Sequence, residues 1–176
     1  MLDSGKLDLT AINRLDAAGF VVRFGGVFEH AAWVAERAHA HGPFASVGDL
    51  HAAMMRAVRA APAETRIAFL NGHPELAGPE ARARSMTADS ASEQGSAGLD
   101  HMPAADAQAF DCLNAAYRRR FGFPFIIAVR GRARAEILRI FEERLQRTPA
   151  EEEQAALDEI ALITRMRLDR LVAASG

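Results

Sequence analysis

Apolar residues recur along this 176-residue chain mostly at spacings of three and four, which place their side chains on one face of an α-helix. Ser46 and Asp49 have the spacing of an N-terminal capping box, so a helix is predicted to begin there. Its apolar face consists of Val47, Leu50, Met54 and Val58. Residues 27–42, "VFEHAAWVAERAHAHG", are also predicted to be helical as far as Gly42. The recurring pattern therefore predicts a chain composed largely of amphipathic helices.

Two further helices are delimited by proline and glycine. Pro62 suits the first turn of one helix, and residues 71–72 predict a left-handed stop at its C-terminus. His73 is therefore expected to follow directly after a helix end. The other helix is predicted to begin soon after Pro103 and to end by Gly122. Its apolar face consists of Phe110, Leu113, Tyr117 and Phe121.

A long last helix is predicted from Thr148, Pro149 and Glu151, which have the pattern of an N-cap, a first-turn proline and a capping-box acid. It is expected to extend to about Val172, and its apolar stripe consists of Ala156, Ile160, Ile163 and Leu171. Arg167 lies within this stripe, where a cation is costly unless it snorkels to water or meets an anion. Snorkelling and pairing with an anion both stay open. In the second case, the Arg167 guanidinium would form two parallel hydrogen bonds to a carboxylate or to an amide-rich ligand.

Two segments do not have a plain helical pattern. Residues 85–99, "SMTADSASEQGSAGL", are rich in Ser, Ala and Gly and predict a loop with a short helix inside it. Residues 123–129, "FPFIIAV", have the propensity of a strand, but no other run offers a convincing pairing partner. We therefore predict an all-α fold, a single compact multi-helix domain over residues 1–176 that is disordered in 1–8 and contains 123–129 as a buried extended segment. The unpaired backbone groups of that segment would be available to a ligand.

Composition and charge narrow the possible partners. Apolar residues make up 49% of the chain and charged residues 25%, which is ordinary for a globular protein. The formal net charge is −2 and the cations are scattered, so neither nucleic acid nor a membrane is an expected partner. The stretches 117–122, "YRRRFG", and 151–154, "EEEQ", are expected to be solvated faces, and so is Glu75. The longest apolar run is too short to span a bilayer and the single Cys112 fits a reducing compartment, so a cytoplasmic protein is expected.

The sequence lacks the signatures of several catalytic classes. His39 and His41 are close in sequence, but their spacing of two points them to different sides of a helix. No His-Glu-x-x-His or paired-cysteine pattern occurs, so no metal site is expected. The chain also lacks Gly-x-Ser-x-Gly and a glycine-rich phosphate loop, which argues against a serine hydrolase and against nucleotide binding.

Two ionisable residues outside the helical faces are candidates for chemistry. His73 in "NGHPELAG" is either a solvent-facing turn residue or a proton carrier, since imidazole titrates near neutral pH. Glu93 in "SASEQGSAGL" is either the capping-box partner of Ser90 or a carboxylate within a small polar wall. That wall would consist of Gln94, Ser96, Ala97 and Gly98. Together with Arg167, these residues indicate a site for a small polar ligand and acid–base chemistry, but they do not name a reaction.

Five motifs, in this order, resemble the 2-oxo-4-hydroxy-4-carboxy-5-ureidoimidazoline (OHCU) decarboxylase family of uric acid degradation: "FGGVFEHAAWVAERA", "HPELAG", "SASEQGSAGL", "LNAAYRRRFGFPFIIAVRG" and "EIALITRMRLDRLV". The resemblance extends over about residues 9–172. It implies an all-α enzyme that decarboxylates OHCU to (S)-allantoin without cofactor or metal, and that forms a homodimer. It also implies that His73, Glu93 and Arg167 are the catalytic residues.

The same resemblance implies a set of substrate-binding positions. These are Pro74, Ser90, Ala91, Ser92, Glu93, Gln94, Phe125, Ile126, Ile127, Ala128 and Val129. The substrate would supply its own electron sink, because loss of carbon dioxide pushes an electron pair toward a neighbouring C=N bond. His73 would then deliver one proton to one face of the product. The alternative function is a non-catalytic helical module that binds a purine-derived or ureido ligand.

Overall fold

The computed structural model of the chain describes residues 5–79, 81 and 85–173. These residues contain helices and irregular segments but no β-strand, so the predicted all-α fold is confirmed. The helices of the described part are α1 (Leu9–Ile12), α2 (Ala17–Phe24), α3 (Trp33–His39), α4 (Val47–Arg59), α5 (Ala63–Asn71), α6 (Ala88–Ser96), α7 (Ala104–Phe121), α8 (Arg134–Arg144) and α9 (Pro149–Leu171). None of these helices is long and apolar enough to cross a membrane.

Helix ends with capping signals lie where the sequence predicts them. The Ser46 side chain accepts the Asp49 N–H at 3.0 Å and caps α4. At the start of α9, the Thr148 N–H donates to Glu151 Oε2 at 2.8 Å. The Glu151 N–H donates in return to Thr148 Oγ1 at 3.4 Å, which completes the capping box. α7 ends at Gly122, whose φ of 79° is the left-handed conformation of a glycine C-cap.

Two predicted helix limits are wrong. Residues 27–32 form turns instead of a helix, and α3 begins only at Trp33. His30 has a φ of 50°, a left-handed conformation that a continuous right-handed helix does not contain. The predicted left-handed stop after α5 is also absent, because the φ of Gly72 is not positive. Instead, α5 ends in a tighter turn, in which the Gly72 N–H donates to Phe69 O at 3.1 Å.

The first residues of the described part pair with the end of α9. The Leu7 N–H donates to Leu171 O at 3.0 Å, and the Ala173 N–H donates to Leu7 O at 2.8 Å. These two bonds accompany an isolated parallel β-bridge. The disorder expected for residues 1–8 therefore does not include Leu7, and residues 1–4 lie outside the described residues.

The described residues group into two compact units, one within Met1–Arg66 and Ala161–Gly176 and the other within Ile67–Ile160. In the first unit, α3 packs against both α2 and α4. The rings of Phe20 and Phe24 are buried at its centre, 4.8 Å apart. This unit therefore has an apolar core of its own.

The core of the second unit is aromatic and includes residues 123–129, called here the FPFIIAV segment. Tyr117 of α7 is fully buried, and its ring meets those of Phe123 and Phe125 edge-on at centroid distances of 5.8 and 5.4 Å. Phe125 also stacks on Phe141 of α8 at 3.8 Å. Every residue of the segment is buried and none is helical, so the predicted buried, non-helical segment is confirmed.

A network of buried polar groups lies beside this aromatic core. Glu152 is fully buried, and its carboxylate accepts hydrogen bonds from the Tyr117 hydroxyl and from Arg144 Nε, the latter at 2.6 Å. Burial and the hydrogen bond to Glu152 raise the pKa of Tyr117. The prediction of solvated faces is therefore wrong for Tyr117 and Glu152, whose charged neighbour Arg144 is itself only 2% exposed.

Candidate active site

His73 lies in the loop that follows α5, residues 73–78, called here the HPELAG loop. Its Nδ1 is 3.3 Å from Phe69 O, and its ring stands edge-on to the Phe69 ring at a centroid distance of 5.3 Å. A carbonyl oxygen can only accept, so Nδ1 carries the hydrogen of this bond. Nε2 is therefore the ring nitrogen that a proton-transfer role would use. The ring is half-buried, which suits a group that exchanges a proton with a ligand.

Two buried amide side chains hold the HPELAG loop. Gln94 of α6 accepts the Ala77 N–H on Oε1 at 2.9 Å, and its Nε2 donates to Glu75 O at 3.3 Å. Asn114 of α7 donates from Nδ2 to Leu76 O at 2.9 Å. Consecutive backbone groups of the loop are thus fixed by side chains that are themselves buried. The Gln94 amide, predicted as a substrate contact, is directed to the loop that carries the histidine.

The backbone of the HPELAG loop is tight. Ala77 has a φ of 51°, a left-handed conformation that costs a non-glycine residue about 1–2 kcal/mol. A Cβ atom on Gly78 would lie 2.6 Å from Glu75 Cβ, so only glycine fits this turn without a shift. The hydrogen bond that Gln94 accepts from Ala77 and the one that Asn114 donates to Leu76 offset this strain.

An ion pair connects the same loop to α7. Arg118 Nε lies 2.8 Å from Glu75 Oε1, and Arg118 Nη1 donates to Asn71 Oδ1 at 2.9 Å. Asn71 in turn donates from Nδ2 to Gly122 O at 2.9 Å. The expectation that Glu75 is a solvated surface acid is therefore wrong. Because the Arg118 side chain is 45% exposed, the ion pair adds little to the unfolding free energy, and its main effect is to orient the HPELAG loop.

Glu93 lies on the buried side of α6. The Thr87 side chain caps this helix by accepting the Ser90 N–H at 3.3 Å. Ser90 and Glu93 are therefore inside the helix, and the capping-box interpretation of this pair is wrong. Both are buried, whereas Ala91 and Ser92 are exposed. Glu93 also has an interaction within the protein, so its burial alone does not indicate a ligand, and its role as a ligand-binding carboxylate stays a prediction.

Side chains anchor the FPFIIAV segment at two backbone groups. Arg144 Nη1 donates to Ile126 O at 2.8 Å, and Glu159 Oε2 accepts the Ala128 N–H at 2.9 Å. The expectation that the backbone of this segment is unpaired is therefore wrong for these two groups. Between them, the N–H and C=O of Ile127 have no hydrogen-bond partner within the described residues. These two groups, a donor and an acceptor, could therefore bind a ligand.

Arg167 belongs to the unit within Met1–Arg66 and Ala161–Gly176, and it does not snorkel. Its side chain is 4% exposed, and Nη1 lies 3.0 Å from Glu29 Oε2 and 3.3 Å from Val27 O. The apolar stripe of α9 therefore contains a buried ion pair, and the snorkelling interpretation is wrong. The sequence patterns do not single out Glu29, because its partner is 138 positions away in the chain.

The other predicted site residues belong to the unit within Ile67–Ile160. This unit contains the His73 imidazole, the buried Glu93 carboxylate of α6 and the backbone N–H and C=O of Ile127. Such a set can transfer a proton and can bind a flat ligand with alternating N–H and C=O groups. No cluster of three or more metal-ligating side chains occurs in the part of the chain that the structure describes.

Comparisons with known proteins find similar sequences over almost the whole chain. The family model described as OHCU decarboxylase matches residues 13–169. The 2-oxo-4-hydroxy-4-carboxy-5-ureidoimidazoline decarboxylase of Haloferax volcanii is 41% identical over 163 residues, which cover 93% of this chain and 95% of that protein.

Two solved structures have similar folds. A crystal structure of (S)-allantoin synthase matches with a TM-score of 0.75 and 27% identity. The match covers 94% of this chain and 54% of the other, so the chain spans about half the length of that protein. A crystal structure of OHCU decarboxylase in the presence of (S)-allantoin matches with a TM-score of 0.63 and 25% identity, covering 79% of this chain and 89% of the other.

Proposed function

Since the chain belongs to the OHCU decarboxylase family, we propose that it decarboxylates OHCU to (S)-allantoin in the degradation of uric acid. The observation that carries the proposal is the hydrogen bond between His73 Nδ1 and Phe69 O, which orients the ring and supports our assignment of proton transfer to Nε2. The match to the Haloferax relative covers nearly all of both chains and supports one functional domain over residues 1–176. The proposal includes no cofactor.

The substrate contains the electron sink that its decarboxylation needs. Its tetrahedral carbon bears a hydroxyl and a carboxylate and is bonded to the carbon of a C=N group. When the bond to the carboxylate breaks, its electron pair forms a C=C bond and the imine pair moves to nitrogen. The nitrogen takes up the proton that the hydroxyl releases as it becomes a carbonyl, and the former imine carbon takes up one further proton. The protein therefore has to orient the substrate, stabilise charge and deliver one proton to one face.

We assign the proton transfer to His73. An imidazole can give and take a proton near neutral pH, and the His73 ring lies just after the C-terminus of α5. Glu93 accepts hydrogen bonds from the ureido or ring N–H groups of the substrate, which a carboxylate does well. The N–H and C=O of Ile127 pair with an amide edge of the substrate, because that edge offers the complementary acceptor and donor. Further proposed contacts are Pro74, Ser90, Ala91, Ser92, Phe125, Ile126, Ala128 and Val129.

Arg167 is the proposed ligand for a carbonyl or carboxylate oxygen of the substrate, as the family resemblance implies. Its bond to Glu29 holds the planar guanidinium in one orientation. A homodimer belongs to the same proposal and is supported by the resemblance alone. The proposed cytoplasmic location rests on the single Cys112 and on the short apolar runs of the sequence. Sedimentation equilibrium of the purified protein would test the dimer.

The proposed reaction is tested with OHCU generated in place, because the compound is unstable. Loss of its absorbance and release of carbon dioxide should both be faster with the protein than in its absence. Decay at the spontaneous rate would refute the proposal. Saturable binding of (S)-allantoin without faster decay would support the non-catalytic binding module instead.

Replacement of Gln94 by alanine is expected to lower kcat by about 100-fold, the loss that follows when a catalytic group moves by about 1 Å. The physical reason is that the bonds to Ala77 N and Glu75 O disappear, so the HPELAG loop relaxes around His73. Steady-state kinetics would be compared with those of Gln154→Ala, an exposed glutamine whose amide bonds within α9. Equal kcat values for the two variants would show that Gln94 does not hold the loop.

Replacement of Arg167 by lysine is expected to lower kcat/KM by about ten-fold or more, because an ammonium cannot form a planar fork while it stays paired with Glu29. The matched control is Arg165→Lys on the same helix, where an exposed arginine pairs with Asp169. That control should keep the parental kcat/KM. If Arg167→Lys also keeps the parental kcat/KM, a positive charge is sufficient and the planar guanidinium is not needed.

A further inference from the structure

We propose that Glu159 is a positioning residue that sets substrate affinity. Its carboxylate fixes the Ala128 N–H and thereby aims the N–H and C=O of Ile127, which have no hydrogen-bond partner among the described residues. The proposal rests on the decarboxylase function proposed above. Glu159 acts through the backbone of the FPFIIAV segment and does not itself touch the substrate.

The Glu159 carboxylate has a separate partner on each oxygen. Oε2 accepts the Ala128 N–H at 2.9 Å. Oε1 lies 3.4 Å from Arg132 Nη2 and 3.5 Å from Arg132 Nη1. The hydrogen bond to the backbone is short and the ion pair is long, so the backbone contact is the better-formed of the two. Arg132 neutralises the carboxylate, and the carboxylate holds the segment.

A second anchor lies two residues before Ala128. Arg144 Nη1 donates to Ile126 O at 2.8 Å, and its guanidinium centre lies 4.5 Å from the centroid of the Phe125 ring. Arg144 is itself fixed by the buried Glu152. Two side chains therefore hold the segment by its backbone. Arg144 of α8 binds a C=O, and Glu159 of α9 binds an N–H.

The spacing of the two anchors determines what Ile127 presents. A trans peptide unit is planar, and its C=O and N–H point in opposite directions. Ile126 C=O shares a peptide unit with Ile127 N–H, and Ala128 N–H shares one with Ile127 C=O. Ile126 and Ala128 are tied to side chains, so the N–H and C=O of Ile127 face away from them. Ile127 is 3% exposed, and buried backbone groups are rarely left unpaired. A ureido group, which has an N–H beside a C=O, offers the matching pair of hydrogen bonds.

The alternative role for Glu159 is purely structural, as the partner of Arg132. Three variants distinguish the two roles. Glu159→Ala removes both contacts, whereas Glu159→Gln keeps an acceptor for the Ala128 N–H. Arg132→Ala removes only the ion pair. Both side chains are partly exposed, so the variants should fold. Circular dichroism and thermal unfolding midpoints would check this before kinetics.

If Glu159 positions the segment, Glu159→Ala should raise the KM for OHCU and the Kd for (S)-allantoin by about ten-fold, with kcat changed by less than about three-fold. Glu159→Gln should restore most of the affinity, and Arg132→Ala should keep the parental KM. An Arg132→Ala variant as impaired as Glu159→Ala, or an unchanged KM in Glu159→Ala, would overturn the proposal.

Amide hydrogen exchange separates this proposal from the proposed function. The Ala128 amide should exchange at least about ten-fold faster in Glu159→Ala than in the parent or in Arg132→Ala, because its acceptor is gone. This readout does not depend on turnover. An inactive parent protein would refute the decarboxylase function, whereas unchanged protection of Ala128 would refute the anchoring role of Glu159 whatever the activity.

Discussion

Replacement of His73 by asparagine should abolish turnover while the protein stays folded. The asparagine amide can still donate a hydrogen bond toward Phe69 O, so the contact that orients the loop has a substitute. What it cannot replace is a nitrogen that gains and loses a proton near neutral pH. General acid catalysis contributes about 100-fold to 10⁴-fold, so decay of OHCU should fall close to the spontaneous rate.

The matched control for His73→Asn is His101→Asn. The His101 side chain is 78% exposed and lies beside Asp100, with no part in the proposed chemistry. Both variants should keep the parental circular dichroism, and only His73→Asn should lose activity. Near-parental turnover in His73→Asn would remove the histidine from its proposed role, whatever the family resemblance implies.

Replacement of Glu152 by glutamine should lower the free energy of unfolding by about 3–5 kcal/mol, the usual cost of removing one partner from a buried ion pair. Glu152 is fully buried and Arg144 nearly so, which means that the variant leaves a guanidinium charge without its counter-ion. The Tyr117 hydroxyl loses a carboxylate acceptor at the same time. Urea denaturation at neutral pH measures the loss.

An exposed ion pair provides the control for this prediction. Arg139 and Glu143 are four residues apart on α8, and their side chains are 61% and 59% exposed. Glu143→Gln should therefore change the unfolding free energy by only about 0.5 kcal/mol or less. The double variant Glu152→Leu with Arg144→Met should regain part of the stability, because it removes both charges from the core. If Glu152→Gln and Glu143→Gln lowered the unfolding free energy equally, burial would not determine how much an ion pair contributes to stability.

Local sequence rules predict those parts of the fold that are determined by neighbouring residues. The caps at Ser46 and Thr148 and the glycine stop at Gly122 depend on residues within one helical turn, and all three are confirmed. Residues 27–32 show where such rules fail. Their composition is helical, but His30 adopts a left-handed conformation in the unit where Glu29 and Val27 meet Arg167. That pairing is decided by the tertiary fold.

Charged and amide side chains illustrate the same limit at the candidate site. Glu75 and Glu152 resemble solvated acids in sequence, because their partners Arg118 and Arg144 are brought to them only by folding. Gln94 was open to prediction as a substrate contact from its motif, yet its amide is bonded to the backbone of Glu75 and Ala77. No local pattern encodes a hydrogen bond between positions so far apart.

The site residues themselves could be named from the sequence because short motifs carry them. His73 follows the helix that the sequence predicts to begin at Pro62, and the FPFIIAV segment lies between Gly122 and Gly131. Their function could not be obtained from periodicity or spacing. The function was indicated by the resemblance over the whole set of motifs. The contact of His73 Nδ1 with Phe69 O and the anchoring of the segment by Glu159 are visible only in the structure.

If His73 delivers a proton to one face of the decarboxylated intermediate, the chirality of the product depends on this residue. OHCU is generated in place, and the circular dichroism of the allantoin formed is followed with the parent protein and with His73→Asn. An excess of (S)-allantoin is expected with the parent, and a racemic product at the spontaneous rate is expected with the variant. A racemic product from the parent, or an undiminished (S) excess from His73→Asn, would contradict this role of His73.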